Sequence, residues 1–183
     1  MPTLQKNVTI TPEEYLEGEK YSEVKHEYVN GRIYAMMCVS RPHSLITGNL
    51  HAALHGHLRG TPCRVFMADM KVRKDNVFYY PDLTVTCHET RRHEYYVEEP
   101  VLAVEVLSPS TEGRDRLDKR LLYQSIPTLE EYVLIAQDKV ALEIYRRAEA
   151  GGDRITYGPT ETVHLASVGW ECAIQTIYEG VWD

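Results

Sequence analysis

The spacing of apolar and polar residues changes several times along this chain, and each change marks an expected element. Lys25 to Met36 reads as two strand-like runs joined by Asn30-Gly31, a pair that supplies the positive φ angles of a tight hairpin turn. Ahead of it, Thr11-Pro12-Glu13-Glu14 reads as a helix start. Thr11 can cap, Pro12 suits the first turn and Glu14 can reach back as the capping-box acid, so a helix is predicted over 12–19. After Pro42, the spacing of Ile46, Leu50, Ala53, Leu54 and Leu58 makes one apolar stripe and predicts a helix over 43–58.

The pattern then shortens to period two. Residues 64–73 place Phe66, Ala68, Met70 and Val72 on one face of a strand and Met67, Asp69 and Lys71 on the other. A turn at 74–76 leads into a second strand over 77–87, where Pro81 removes a ladder donor and predicts a bend or bulge. Residues 88–99 form a polar loop or flap, and 101–107 is a short, fully apolar-flanked strand. A helix over 114–124 carries Asp115, Lys119 and Tyr123 at i, i+4 and i+8 on one polar stripe, with Leu117 and Leu121 on another face. Strands over 131–136 and 140–145, joined by a three-residue turn, form an antiparallel pair, and 154–157, 162–165 and 173–178 are weaker strand candidates. The expected fold is α/β (α+β): a central mixed β-sheet flanked by helices, with an N-terminal helix and hairpin and extra C-terminal strands, forming a single domain over 1–183.

Composition narrows the classes of function. With 43% hydrophobic and 26% charged residues and no apolar run approaching the ~18–20 residues of a membrane span, a membrane role is excluded and a cytoplasmic location is expected. The first residues, Met1-Pro2-Thr3-Leu4-Gln5-Lys6, lack the apolar core of a secretory signal. Cys38, Cys63, Cys87 and Cys172 are scattered without a Cys-x-x-Cys pair, which supports neither a zinc ribbon nor a disulfide framework and leaves buried free thiols as the expectation. His51 and His55 stand at i and i+4 but have no third ligand nearby in sequence, so a solvated helix face is the reading. A net charge of −7 argues against broad nonspecific nucleic-acid binding, although Arg91-Arg92-His93 and Arg114-Asp115-Arg116 leave room for a local basic cleft.

Two acids stand out because they sit in apolar runs: Asp82 in Tyr80-Pro81-Asp82-Leu83-Thr84-Val85 and Glu105 in Val101-Leu102-Ala103-Val104-Glu105-Val106-Leu107. A carboxylate in such a setting is costly unless a cation or hydrogen bonds compensate it. Adjacent strands could present both to one hard metal ion, or both could serve structural ion pairs with Lys119 or Arg120. Ser108 and Ser110 lie in no Gly-x-Ser-x-Gly elbow, and no phosphate-binding loop or dinucleotide fingerprint is present.

Pro81-Asp82 followed by Glu105-Val106-Leu107 resembles the PD-(D/E)XK pattern of restriction-endonuclease-like nucleases. The wider succession of Glu27, His43, Glu105-Val106-Leu107-Ser108-Pro109-Ser110-Thr111, Asp115, Lys119, Tyr123 and Glu131-Tyr132, over roughly residues 11 to 147, is similar to the Uma-two family of endonucleases. The resemblance implies a restriction-endonuclease-like core and hydrolysis of DNA phosphodiester bonds, with Mg2+ or Mn2+ held by Asp82, Glu105 and the Val106 carbonyl. The superfamily pattern expects a lysine two positions after the second acid, where this chain has Leu107. Lys119 is the matching cation, displaced to the next helix, and would orient the attacking water or offset charge on phosphorus, or simply pair with Asp115. Asp115 and Tyr123 share its stripe. Glu27 would serve a second ion or remain a surface hairpin acid, and His43 would contact phosphate or the metal's surroundings or merely cap its helix. The implied partner is nucleic acid, DNA first, with a homodimer expected by analogy with nucleases that cut both strands. The competing class is a catalytically inactive binding or regulatory protein on the same fold.

Overall fold

Thr11 and Glu14 do what their spacing predicts. In the computed structural model, which describes residues 9–109, 111–147 and 152–182, helix α1 (Pro12–Glu19) opens with Glu14 N donating to Thr11 Oγ1 and Thr11 N donating to Glu14 Oε2. Asn30 (φ 48°) and Gly31 (φ 90°) form the turn between β1 (His26–Val29) and β2 (Arg32–Ala35). Helix α2 (Arg41–His57) begins just before the expected stretch because the Ser40 hydroxyl caps it, accepting from His43 N. Its stripe of Ile46, Leu50 and Leu54 is buried.

The two strands expected over 64–73 and 77–87 are each divided. The first becomes β3 (Arg64–Met67) and β4 (Lys71–Lys74), separated by a turn in which Met70 N donates to Met67 O. The second becomes β5 (Val77–Tyr79) and β6 (Leu83–Thr86), parted at Tyr80-Pro81-Asp82, where proline has no donor to give. These breaks move the chain between sheets: β3 pairs with β6, and β4 with β5, both antiparallel. Alternation alone could not reveal this, because both halves keep period two across the break.

The segment expected as a loop over 88–99 contains the short β7 (Tyr96–Val97), parallel to β4. Next come β8 (Leu102–Leu107), then α3 (Glu112–Arg114), a π-helical turn (Asp115–Lys119) and α4 (Arg120–Ser125) in place of one regular helix. β9 (Glu131–Ala136) lies parallel to β8, followed antiparallel by β10 (Leu142–Arg146) and β11 (Asp153–Tyr157). β12 (Thr162–Leu165) and β13 (Trp170–Ala173) form a separate ribbon. The strand expected over 173–178 is a short helix, α5 (Ile174–Ile177), which buries Ile174 and Ile177. So short an apolar run fits either period.

The result is an α+β fold with one mixed sheet in the order β11-β10-β9-β8-β6-β3 and another in the order β2-β1-β5-β4-β7. On the larger sheet Leu102, Val104 and Val106 pack with α2, α5 and the C-terminal Tyr178 and Val181, while Ala103 and Leu107 pack with Tyr123, Ile126 and the second sheet's Val72, Val77 and Tyr79. Tyr15, Tyr28, Phe78 and Tyr96 fasten α1 to the second sheet. Cys63 and Cys87, expected as free thiols, are joined by a disulfide one step beyond the Arg64–Thr86 strand pair; Cys38 is free and exposed and Cys172 free and half-buried. Register, which scattered sequence positions do not disclose, brings the bonded pair together. Among the described residues no helix is long and apolar enough to cross a membrane.

Leu117 and Leu121 are more than half exposed, whereas Leu54 is fully buried. Leu54→Ala is therefore expected to cost about 2–5 kcal/mol in urea unfolding, and Leu117→Ala or Leu121→Ala no more than about 0.5 kcal/mol. Equal losses would mean that the helix faces are wrongly assigned.

Candidate functional site

Glu105 reaches its position through simple alternation. On β8 it shares a face with Ala103 and Leu107, so its carboxylate points away from α2 and toward the helical segment at 112–125. Asp82 immediately precedes β6. Leu83 pairs with Val104, and one step further along that antiparallel register Asp82 stands across from Glu105. The break at Pro81 frees the Asp82 side chain to turn into the strand end, where its Oδ2 accepts from Val106 N at 2.7 Å. His43, in the first turn of α2, brings Nε2 to 3.1 Å from the same oxygen. With its residue 6% exposed, His43 faces inward, so its reading as a plain exposed cap falls.

The polar stripe of the 112–125 segment is the buried face. Lys119 Nζ donates to Glu105 Oε1 at 3.0 Å and also lies 2.9 Å from Glu27 Oε1 and 3.2 Å from Asp115 Oδ1. Tyr123 OH donates to Glu105 Oε1 at 3.3 Å. The hairpin acid Glu27 is thus a buried group, not a surface one, and its outer oxygen meets Arg114 Nη2 at 3.2 Å. The π turn aims both Asp115 and Lys119 inward; such insertions are frequent at functional sites.

Electrostatics follow from this crowding. Burial draws the Lys119 ammonium down, but the facing carboxylates of Glu105, Glu27 and Asp115 outweigh it and hold the group well above the ordinary lysine value. Burial pushes Glu105 well above the ordinary carboxylate range; Lys119 opposes this, while Asp115, Asp82 and Glu27 add to it. Asp115 is raised for the same first reason, with Lys119 and a Thr111 hydrogen bond pulling against it. Tyr123 is kept a phenol by burial and by the charge of Glu105, so it remains a donor. Glu27 Oε1 and Asp115 Oδ1 are buried, and each meets Lys119 Nζ as an ion pair, at 2.9 and 3.2 Å. Glu131, the other wholly buried acid, is by contrast fully engaged by Arg146, Ser167 and Ala166 N at the opposite end of the sheet.

Glu27, His43, Asp82, Glu105, Val106, Asp115 and Lys119 all line one cavity of about 300 Å³, and Tyr123 stands behind Glu105. Sequence reasoning missed Arg114 as a site residue, although it lay within a noted basic cluster, and missed the strap from Met36 to Val39 that borders the opening. Among the described residues no three His, Cys, Asp or Glu side chains gather as a closed metal cage. The donor set is nonetheless hard oxygen: the hydrogen bonds to Asp82 and Glu105 from described residues use Oδ2 and Oε1, leaving one oxygen of each.

Comparison with known proteins sets this geometry in a family. The profile of the Uma2 family, described as "Putative restriction endonuclease", matches residues 12–175. The chain belongs to the Uma2 family. Two uncharacterized proteins of Synechocystis sp. are similar to it: slr1290, 38% identical over 176 residues covering 94% of this chain and 93% of the relative, and sll1609, 33% identical over 150 residues covering 79% and 83%. In fold, this Uma2 chain is similar to the crystal structure of a putative nuclease belonging to DUF820 from Anabaena variabilis, with a TM-score of 0.76 over 94% of this chain and 99% of that one, at 18% identity.

Replacing Lys119 by methionine leaves Glu105 and Asp115 buried without their cation and Glu27 with Arg114 alone, with an expected loss of about 3–5 kcal/mol at neutral pH. The raised carboxyl pKa fixes the sign. The folded state then holds protons that the unfolded state has released, so the variant should regain stability as pH falls toward 4.5 and lose it as pH rises above that value. Denaturant melts of Lys119→Met from pH 5 to 8 test this; a flat profile would contradict the charge arrangement.

Proposed function

We propose that this chain is a divalent-metal-dependent nuclease that hydrolyses phosphodiester bonds of DNA. The observation that carries the reading is the convergence of Asp82, Glu105 and Lys119 from three separate elements on one cavity. Asp82, Glu105 and the Val106 carbonyl would hold Mg2+ or Mn2+, with solvent completing the ligands, as magnesium prefers. Four acids, Glu27, Asp82, Glu105 and Asp115, share the cavity with two cations, Lys119 and Arg114, which leaves formal negative charge for such an ion to offset. The ion would polarise the phosphate and lower the pKa of water.

The protein's own groups divide the remaining work. Lys119, held as an ammonium among Glu105, Glu27 and Asp115, would offset charge developing on the phosphate through its field; it does not act as a base. Asp115 and Tyr123 are positioning residues, one holding Lys119 and the other Glu105. His43 fixes the rotamer of Asp82 through Oδ2, and Oδ1 would be the oxygen offered to the metal. Glu27 holds Lys119 on one oxygen and Arg114 on the other.

Plasmid nicking should require Mg2+ or Mn2+ and stop with a chelator. Asp82→Asn and Glu105→Gln are each expected to lower the rate on the order of 100-fold while circular dichroism stays native. If no DNA or RNA is cut with either metal, and calorimetry finds no metal binding that Asp82→Ala abolishes, the nuclease reading fails and a non-cleaving binding protein takes its place.

A further inference from the structure

The mouth of the cavity carries features that the cleavage chemistry leaves unused. Lys119 is shut away, its side chain 6% exposed and its ammonium within 3.2 Å of carboxylate oxygens of Glu105, Glu27 and Asp115. Arg114 is the other Lys or Arg among the described residues lining the cavity, and its side chain is 36% exposed. One nitrogen meets Glu27 and the guanidinium lies 4.8 Å over the Tyr34 ring, an arrangement that fixes its plane. A guanidinium carries five N–H donors, so one ion pair leaves several for an incoming anion.

Beside Arg114, the strap between β2 and α2 turns apolar groups outward. Met37 is 74% exposed and Val39 58%, and both border the opening together with Met36 and Cys38. A protein that grips duplex DNA meets its two phosphate tracks with several Lys or Arg residues. Among the described residues lining it, this mouth offers one reachable cation; Glu27, Glu105 and Asp115 are buried, and the whole chain carries −7. A base lifted out of its stack, by contrast, presents a flat apolar face that such a strap can receive.

We propose that the cavity takes unpaired nucleotides of a single strand, with Arg114 gripping a phosphate and the strap from Met36 to Val39 receiving a base. For its chemistry the assignment rests on the nuclease reading, but binding can be measured apart from cleavage. In fluorescence anisotropy with the full chain and chelator present, a labelled single-stranded oligonucleotide should bind at least about tenfold more tightly than the same sequence as a duplex. Arg114→Met should weaken single-strand binding about tenfold and flatten the slope of log K against log salt by about 0.7, with circular dichroism still native at the assay temperature; Arg114→Lys should restore part of both. Met37→Ser combined with Val39→Ser, both at exposed positions, should weaken binding without altering the salt slope. Equal or tighter duplex binding, an unaltered slope in Arg114→Met, or no binding of either form would overturn the proposal. Tight single-strand binding without cleavage under any metal would defeat the nuclease reading and leave this one standing.

Discussion

The arrangement around one ammonium group governs much of this molecule. Lys119 sits between Glu27 from β1, Glu105 from β8 and Asp115 from its own helical segment, so a single charge ties that segment to both sheets. Magnitudes explain why the segment turns its polar stripe inward. Turning the segment over would bury two leucines at about 1.5–3 kcal/mol each, but it would strip both Glu27 and Glu105 of their cations, at about 3–5 kcal/mol for each buried charge left alone. Leu117 and Leu121 therefore face solvent, and Asp115, Lys119 and Tyr123 face the sheet.

A second constraint places the acid that Lys119 does not reach. Continuing the β6 register puts Asp82 opposite Glu105 and on the same face of the sheet; Pro81 parts this position from β5, and the chain enters the larger sheet at Leu83. The backbone N–H of Val106 and the ring of His43 then fix one carboxylate oxygen. The two acids thus differ in character. Asp82, its side chain 13% exposed, is held by a backbone N–H and the His43 ring, and Glu105 by an ammonium and a phenol in the interior.

What could be read from residues alone was whatever depends on local chemistry. Thr11 and Glu14 announce their capping box, Asn30-Gly31 its turn, and Pro81 its break, because each signal acts within four residues. Asp82 and Glu105 were legible as candidates because charge in an apolar run needs a partner, and Lys119 through the resemblance to the Uma-two succession of residues. Hidden were the properties set by pairing across distance: that 64–73 and 77–87 each serve two sheets, that Cys63 meets Cys87, and that Glu27 and His43 point inward. The short helix at 174–177 stayed hidden for another reason, since four apolar residues fit a helix and a strand equally well.

The disulfide has a bearing on the acid at the far end of its strand. Cys87 follows β6 and Cys63 precedes β3, so the covalent link closes one end of a four-residue pairing whose other end is Leu83, next to Asp82. A strand that slips by one residue turns every side chain to the opposite face. By forbidding that slip, the link acts as an indexing pin: it sets the phase of β6, and with it the side of the sheet on which Asp82 emerges.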